Sequence, residues 1–322
     1  MKSVPGEILL GDIGGTNARF TFLADDGIGP IEILAVQDYA QFTDAVAAFL
    51  VRQRKKRIVA RAVFAAAGPV EDNRCLVINS GWVIDGSELR SAFDWTEVRI
   101  VNDFEAMAWS LPGLTPSDLF AIGNGKVVPT APAAVLGPGT GLGLACLCPR
   151  ADGEFVIATE GGHATMPGTC PREDAIIKHL RGRFGHVSAE RVLSGAGLVN
   201  LYQAIGSIDG RPTVERSAAE VTTAALDGSC PICREALDAF CAMLGTFAGD
   251  TALTFAACGG VYIAGGIAPR IIQYLSGSHF RRRFEAKGRF QPYLAAVPTW
   301  VIVHPEPTFV GLQWLAGHAF NR

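Results

Sequence analysis

Residues 8–23, Ile8-Leu9-Leu10-Gly11-Asp12-Ile13-Gly14-Gly15-Thr16-Asn17-Ala18-Arg19-Phe20-Thr21-Phe22-Leu23, form two apolar runs joined by a short glycine-rich segment. This pattern predicts two strands connected by a turn. Because glycine lacks a Cβ atom, such a turn lets backbone N–H groups approach a phosphate closely. Taken alone, the segment fits a tight hairpin turn better than a phosphate loop.

A similar arrangement returns later in the chain. Residues 134–147 place the turn Gly137-Pro138-Gly139-Thr140-Gly141 between two further apolar runs. Neither turn has the spacing of a Walker A loop or of the GxGxxG fingerprint, and each leads into a strand. Each carries a threonine hydroxyl, and the first carries Asp12, which can hold Mg²⁺ through water. The pair indicates two hairpins that hold one polyphosphate, and it is a weak sign of internal repetition.

The remaining chain contains further patterns that are typical of strands and of helices. Predicted strands cover residues 31–36, 60–66, 75–78, 98–101, 155–158, 261–264 and 300–303, and predicted helices cover 42–51, 87–93, 173–184, 190–205, 218–226, 235–257 and 310–319. A chain of 322 residues is long for a single core, so two α/β domains are expected. The breaker-rich stretch Leu111-Pro112-Gly113-Leu114-Thr115-Pro116 is the best candidate boundary.

The composition excludes several classes of protein. A hydrophobic content of 49% and a charged content of 18% are typical of a globular chain and not of a disordered one. The net charge of −3 gives no general attraction to nucleic acid or anionic lipid. Basic clusters at residues 52–57 and 281–283 are expected to be solvated helix ends. The apolar region 237–267 is interrupted by Asp250 and paired glycines, which predicts a buried helix and strand and not a membrane span.

The eight cysteines and the lack of a recognisable signal peptide indicate reduced thiols in a cytoplasmic protein. Cys230-Pro231-Ile232-Cys233 has the spacing of a metal or redox motif. A structural zinc needs four ligands, however, and no second such pair or histidine pair accompanies it. No zinc site is therefore predicted.

The stretch Ile100-Val101-Asn102-Asp103-Phe104-Glu105-Ala106 runs from a predicted strand into a predicted helix. Asn and Asp are favoured helix N-caps because their side chains accept bonds from free backbone N–H groups. The same position suits a catalytic carboxylate at the end of a strand. The seven residues alone do not decide between a cap and a catalytic group.

Three further groups stand at the ends of apolar strands. The loop Glu160-Gly161-Gly162-His163 holds a carboxylate and an imidazole around two glycines, which suits hydrogen bonding to several hydroxyls. The pair Gly265-Gly266 brings backbone close to a strand end, where nucleotides bind in α/β proteins. Glu190 alone is better explained as a structural residue near a helix start.

Together these stretches resemble the bacterial glucokinase family, the hexokinases of the actin-like ATPase superfamily. The matching motifs are, in family order, residues 11–19, 67–70, 102–104, 137–143, 160–163, 190–195, 259–267 and 287–290. They span nearly the whole chain, and the ordered set is far more specific than any single motif.

The resemblance implies an α/β fold with two domains, each built around a ribonuclease-H-like sheet, hinged over an interdomain cleft as in actin-like ATPases. The small domain is expected to hold residues 1–112 plus 305–322, and the large domain residues 113–304. Family members are typically cytoplasmic homodimers. They transfer the γ-phosphoryl group of Mg-ATP to the 6-hydroxyl of glucose, the first step of glycolysis.

By position in the family's motifs, Asp103 matches the catalytic base that takes the proton of the 6-hydroxyl. The resemblance assigns the glucose contacts to Asn102, Asp103, Gly141, Glu160, His163 and Glu190. It assigns ATP binding to Gly11, Asp12, Ile13, Gly14, Gly15 and Thr16, to Thr140, and to Gly265 and Gly266. No direct metal ligand is expected, since Mg²⁺ would be carried by ATP, with Asp12 reaching it through water.

Two segments depart from the family pattern, Met166-Pro167-Gly168-Thr169-Cys170 and Pro305-Glu306-Pro307-Thr308-Phe309-Val310. The related repressor and kinase family usually carries a cysteine-rich zinc motif beside its Glu-Gly-x-x-His equivalent, whereas only Cys170 lies nearby here. Two other functions remain open: a non-catalytic sugar-binding protein, and an actin-like filament or chaperone ATPase. The sugar dependence of ADP release separates both from a kinase.

Overall fold

The structure, a computed structural model, describes residues 7–53 and 59–320. The chain divides into two compact units, Met1–Thr115 together with His304–Arg322, and Pro116–Val303. Within the described residues, none of the helices is both long enough and apolar enough to span a bilayer.

The chain contains runs of consecutive strands and runs of consecutive helices. The strands are β1 (Glu7–Ile13), β2 (Asn17–Ala24), β3 (Gly27–Ile28), β4 (Glu32–Ala35), β5 (Val59–Ala66), β6 (Val70–Glu71), β7 (Arg74–Val77), β8 (Trp82–Asp85), β9 (Glu97–Asn102), β10 (Leu119–Ile122), β11 (Ala133–Pro138), β12 (Leu142–Arg150), β13 (Gly153–Thr159), β14 (Gly260–Ile263) and β15 (Thr299–Ile302). The helices are α1 (Phe42–Arg52), α2 (Gly86–Phe93), α3 (Asp103–Ser110), α4 (Pro171–Phe184), α5 (Gly195–Ile208), α6 (Ala218–Leu226), α7 (Pro231–Phe255), α8 (Ile272–Gly277), α9 (Phe280–Glu285), α10 (Gln291–Ala296) and α11 (Pro307–Phe320).

The two units share the order of five strands, β3-β2-β1-β5-β9 in the first and β13-β12-β11-β14-β15 in the second. In the first unit the sheet runs β3-β2-β1-β5-β9, with β4 also paired to β2. In the second it runs β10-β15-β14-β11-β12-β13. In both, a glycine turn joins two antiparallel strands, β1 to β2 and β11 to β12, and parallel strands are added beyond the first strand of that hairpin. The repetition suggested by the two glycine turns is therefore present in the topology.

Aromatic side chains fill the core of the first unit. Phe20, Phe42, Phe49 and Phe64 are each no more than 1% exposed, and their rings lie against one another. These rings close the space between the sheet and α1, because Phe20 and Phe64 come from β2 and β5 while the other two come from α1. The sheet that carries the first glycine turn therefore rests on a rigid aromatic layer.

The C-terminal helix α11 belongs to the first unit and packs on α3. At Gly311 a Cβ atom would come within 1.8 Å of the carbonyl oxygen of Ala106, so only glycine allows the two helices to approach this closely. α11 is thereby fixed against the helix that begins at Asp103.

A turn residue protects the outer edge of β9. Asn73 follows β6 in the left-handed region, at φ 60°, where its side chain reaches the edge strand. Its Nδ2 donates to the carbonyl of Val98 at 2.9 Å, and its Oδ1 accepts from the N–H of Ile100 at 2.7 Å. The amide of Asn73 thus satisfies two backbone groups as a neighbouring strand would.

Some predictions about elements need correction. Glu190 lies in the short 3-10 turn Ala189–Arg191, and the helix predicted to start there begins at Gly195 behind the cap Ser194. The helix predicted from residue 235 begins at Pro231, where proline suits the first helical position. Short elements such as β6, β8 and α8 to α10 are not predicted, because two to six residues carry little periodicity.

The prediction of solvated helix ends has a different outcome for each of the two basic clusters. α1 ends at Arg52, and residues 54–57 lie outside the described part of the chain. The prediction of a solvated end is wrong for Arg281 and Arg283, whose side chains are only 14% and 15% exposed. Arg281 donates to the carbonyls of Leu294, Ala295 and Val297. Arg283 pairs with the buried Glu173 at 2.9 Å, so both cations hold elements of their own unit together.

Candidate active site

The first glycine turn is a tight hairpin between β1 and β2, in which the N–H of Gly14 donates to the carbonyl of Asn17 at 3.0 Å. A Cβ atom at Gly11 would lie 2.6 Å from the ring of Phe64, and one at Gly15 would lie 2.6 Å from Asn79 Cβ. Packing therefore requires glycine at both positions. Thr16 is exposed at the end of the turn.

Asp12 is held by the residue opposite it in the hairpin. Arg19 is its register partner on β2, and Arg19 Nη1 lies 3.1 Å from Asp12 Oδ2. Burial raises the pKa of the Asp12 carboxyl, and this outweighs the opposing effect of Arg19. Arg19 also lies 3.9 Å from Glu306, in the C-terminal segment that departs from the family pattern. Sequence reasoning missed Arg19 as a site residue, although the hairpin register could have indicated it.

Asn102 ends β9 and caps α3. Its Oδ1 accepts from the N–H groups of Phe104 at 2.9 Å and Glu105 at 3.3 Å. Its Nδ2 donates to the carbonyl of Gly68 at 3.0 Å. The cap interpretation is thus correct for Asn102, and it leaves one amide hydrogen for another acceptor.

Asp103 is the first residue of α3, and its Oδ1 accepts from the N–H of Phe104 at 2.9 Å. Its negative charge acts on a thiol nearby: burial, and secondarily the Asp103 carboxylate, raises the pKa of Cys75 to about 11. Cys75 is also the side chain that a Cβ atom at Gly68 would meet, at 3.2 Å. The Asp103 carboxylate is therefore close enough to act electrostatically on a buried thiol.

The second glycine turn joins β11 to β12 and is fixed from several sides. The N–H of Gly139 donates to Gly141 at 2.8 Å, and the N–H of Gly195, the first residue of α5, donates to Gly139 at 2.9 Å. Gly265 has φ 79°, and a Cβ atom there would lie 2.4 Å from the carbonyl oxygen of Pro138. The backbone of Gly265 therefore packs directly against this turn. Thr140 is exposed at its apex.

The loop that carries Glu160 and His163 lies on the start of β12. A Cβ atom at Gly162 would come within 1.9 Å of the carbonyl oxygen of Leu142, so the glycines allow this contact. Glu160 Oε2 and His163 Nε2 are 3.8 Å apart, and both side chains are 60% exposed. Two polar groups are therefore presented at fixed separation and open to a ligand.

The side chain of Glu190 reaches the start of β12 from another segment of the chain. Its Oε2 accepts from the N–H of Leu142 at 3.0 Å, and a Cβ atom at Gly141 would lie 2.5 Å from that oxygen. The residues after His163 pair with those before Glu190, since Ala189 donates to the carbonyl of Ala164 at 2.8 Å. The structural explanation favoured for Glu190 alone is therefore incomplete, because its carboxylate lies against the second glycine turn.

The second unit thus brings four predicted sugar contacts together around the first residues of β12. These residues are Gly141, Glu160, His163 and Glu190. The other two, Asn102 and Asp103, lie in the first unit at the junction of β9 and α3.

The divergent segment 166–170 is anchored by a carboxylate that the sequence did not single out. Glu173, only 4% exposed, accepts from the N–H of Thr169 at 2.9 Å and pairs with Arg283. The buried N–H of Met166 donates to Val187 at 3.0 Å. The segment that follows the Glu160–His163 loop is therefore fixed by the interior of its own unit.

Within the described residues, no group of three or more His, Cys, Asp or Glu side chains is placed to hold a metal ion. Asp12 offers a single carboxylate beside the first turn, with Arg19 on one of its oxygens. Mg²⁺ is commonly bound through one or two carboxylates plus substrate phosphates and water. The donors present fit an ion carried by a nucleotide better than one held by the protein alone.

Comparison with known proteins gives a consistent result. The family model described as Glucokinase matches residues 9–319. A glucokinase of Paramagnetospirillum magneticum is 48% identical over 311 residues, which cover 96% of this chain and 97% of that protein. A glucokinase of Nitrobacter hamburgensis is 43% identical over 311 residues, with 97% of each chain covered.

Solved structures show the same architecture. The glucokinase of an Antarctic psychrotroph superposes with a TM-score of 0.87 at 33% identity, covering 97% of this chain and 99% of that one. These neighbours have the two-domain actin-like fold, which confirms the fold that the sequence predicted.

Proposed function

The chain belongs to the glucokinase family, and we propose that it transfers the γ-phosphoryl group of ATP to the 6-hydroxyl of D-glucose. The products would be glucose 6-phosphate and ADP. One observation of this chain supports the proposal: Glu160, His163 and Glu190 all lie around the first residues of β12, beside the second glycine turn. Two carboxylates and an imidazole can hydrogen-bond several hydroxyls of a sugar, and the family resemblance makes the adjacent turn a phosphate loop.

The protein would recognise the sugar through hydrogen bonds to its hydroxyl groups. Glu160 would accept from the 2- and 3-hydroxyls, and His163 with Glu190 would bind the anomeric hydroxyl. Because Oε2 of Glu190 already accepts from Leu142, its other oxygen would serve the sugar. Groups built to pair hydroxyls are left unpaired by an analogue that lacks one, so such a site discriminates strongly.

Asp103 would be the general base. An aspartate has an ordinary pKa of about 4 and a sugar hydroxyl is far less acidic, so the carboxylate cannot ionise the alcohol beforehand. It would orient the 6-hydroxyl and accept its proton late, as the bond from O6 to the γ-phosphorus forms and the bond from that phosphorus to ADP breaks. The remaining amide hydrogen of Asn102 would bind the O4 and O6 end of the sugar.

The family resemblance assigns ATP binding to the two glycine turns. The first turn, residues 11–16, and Thr140 at the apex of the second would donate to phosphate oxygens. Gly266 has no atom within 4 Å of a Cβ position, so its side facing away from the fold is open. A ROK family glucokinase of Streptomyces griseus with this fold was solved with glucose and AMPPNP, at 18% identity and a TM-score of 0.66, covering 97% of this chain and 100% of that one.

Magnesium would enter with the nucleotide, and Asp12 would hold it through water. When bound, the ion neutralises charge on the transferring phosphates. Arg19 would keep the Asp12 carboxylate in place.

Three further proposals rest on the family resemblance alone. The two compact units would be the small and large domains, the chain would form a homodimer, and it would act in the cytoplasm as a glycolytic enzyme. Sedimentation equilibrium of the full chain, with and without glucose, measures the oligomeric state directly.

A sugar panel tests the reaction. ADP release is followed in a coupled assay with MgATP and either no sugar, glucose, mannose, fructose or 2-deoxyglucose. We expect release only with sugar, and glucose preferred over the others. Release without sugar would indicate an ATPase, no release with any sugar a binding protein, and equal rates with mannose or fructose a wrong set of sugar contacts.

A further inference from the structure

Two cysteines at the start of α7 take no part in the proposed reaction. Cys230 caps the helix, Pro231 is its first residue, and Cys233 lies in its first turn. The N–H of Cys233 donates to Cys230 Sγ at 3.5 Å. Cys230 is partly exposed and Cys233 is fully buried, so only one of the two sulfurs is open to a reagent.

The two thiols differ in acidity as well as in exposure. Burial of Cys230 opposes ionisation, but hydrogen bonds from the N–H and thiol of Cys233 outweigh it, and the pKa of Cys230 is lowered. The N–H of Ile232 and the charge of Arg216 act in the same direction. Burial raises the pKa of Cys233 to about 12. A helix N-terminus and a Cys-x-x-Cys spacing are both settings that favour a thiolate on the first cysteine.

Cys170 serves as an internal comparison for the position of Cys230 at a helix start. Cys170 also caps a helix, α4, and is also followed by proline. Its sulfur accepts no capping hydrogen bond from the first turn of α4, and the residue three positions later is Glu173 instead of a second cysteine. Cap position and proline are therefore shared by both sites, while the second thiol is present only at Cys230.

We propose that Cys230 and Cys233 form a redox-active dithiol that is reversibly oxidised to an intrachain disulfide by exchange with low-molecular-weight disulfides. The thiolate of Cys230 attacks one sulfur of the disulfide, forms a mixed disulfide and expels one thiolate. Cys233 then attacks Cys230 Sγ, and its proton passes to the second thiolate as that group is expelled. Two thiols are oxidised and one disulfide is reduced to two thiols.

Zinc binding does not explain the pair. Structural zinc takes four ligands, and no third or fourth donor from His, Cys, Asp or Glu is placed with these two cysteines in the part of the chain that is described.

The test uses the full chain and oxidised glutathione. After equilibration, free thiols are alkylated and each cysteine peptide is quantified by mass spectrometry. We expect the wild-type protein to contain a Cys230–Cys233 disulfide without retained glutathione, and dithiothreitol to restore both thiols. Cys233→Ala should instead accumulate glutathione on Cys230, and Cys170→Ser should form the Cys230–Cys233 disulfide as the wild type does.

Two outcomes would overturn the proposal. One is wild-type protein in which Cys230 retains glutathione while Cys233 stays free. The other is wild-type protein in which both thiols remain alkylatable while Cys170 reacts. Because both are read on the wild-type chain, they decide the question even if Cys233→Ala does not fold.

Discussion

Oε2 of Glu190 accepts a hydrogen bond from the backbone N–H of Leu142 at 3.0 Å. This bond joins a predicted sugar contact to the strand that leaves the second glycine turn. A sugar bound by the other oxygen of Glu190, as proposed, would therefore be linked to the second glycine turn through a single carboxylate.

Removing that carboxylate should weaken catalysis with glucose. In Glu190→Ala the N–H of Leu142 loses its acceptor and the anomeric hydroxyl loses its contact. An unpaired polar group costs about 1–3 kcal/mol, so kcat/KM should fall by about 5- to 150-fold. Glu190→Gln keeps an oxygen for Leu142, and urea unfolding should show it as stable as the wild type. An alanine variant with wild-type kcat/KM for glucose would contradict the assignment.

Removing the proposed base should affect turnover more than binding. Asp103→Asn keeps the size of the side chain and an oxygen for the N–H of Phe104. Loss of a general base costs on the order of 10² to 10⁴ in rate, and kcat should fall accordingly. Glu105→Gln, a neutral replacement two residues along the same helix, should keep the wild-type kcat. Turnover of Asp103→Asn within a few-fold of wild type would rule the role out.

A methyl group at Gly141 should displace Glu190. The added Cβ would lie 2.5 Å from Glu190 Oε2, so the carboxylate must shift and its bond to Leu142 must lengthen. We expect Gly141→Ala to raise KM for glucose in the ADP assay. Gly182→Ala is the control, because a Cβ in α4 meets nothing within 4 Å there and alanine favours helix by about 1 kcal/mol. Unchanged KM in Gly141→Ala would show that Glu190 does not bind the sugar.

The buried carboxylate of Asp12 should reduce stability at neutral pH. Its pKa is raised in the folded state, so the folded state binds this proton more tightly than the unfolded one. The stability contributed by the neutral carboxyl is present at low pH and is lost as pH rises through the folded-state pKa. Asp12→Asn should therefore have the higher free energy of unfolding at pH 7, with a difference that shrinks towards pH 4.

Asp85 serves as the comparison, because its pKa is shifted in the opposite direction from that of Asp12. Its hydrogen bonds from Ser87 and Glu88 at the start of α2 lower its pKa. Its contribution is present above the unfolded-state pKa and is lost as pH falls. Urea unfolding across the same pH range should show Asp85→Ala less stable than wild type at pH 7. If both variants change in the same direction, burial of Asp12 is not the dominant effect.

The sequence predicted features that depend on neighbouring residues. Both glycine hairpins, the strand end at Asn102 and its helix cap follow from local patterns of apolar and turn residues. The sequence does not show why glycine is required at each of these positions. Gly11 is required by the Phe64 ring of another strand, and a pattern of residues cannot show which neighbour will fill the missing Cβ position.

Features that depend on distant residues could not be predicted. The partner of Arg283 is Glu173, which lies 110 positions away, so a basic cluster that looks solvated in sequence is internal in the fold. The bond between Glu190 and Leu142 likewise joins residues 48 positions apart. Glu190 was explained as a structural residue for that reason, because the group that its carboxylate meets is a backbone N–H that no sequence pattern marks.

The side-chain amide of Asn73 has a consequence for the behaviour of the protein in a crowded solution. The strand that ends at Asn102 is the last strand of its sheet, and its outer edge carries groups that another chain could recruit. By occupying the carbonyl of Val98 and the N–H of Ile100, Asn73 removes two of those groups. The strand next to the proposed base is thereby guarded against edge-to-edge aggregation by one side chain from a turn.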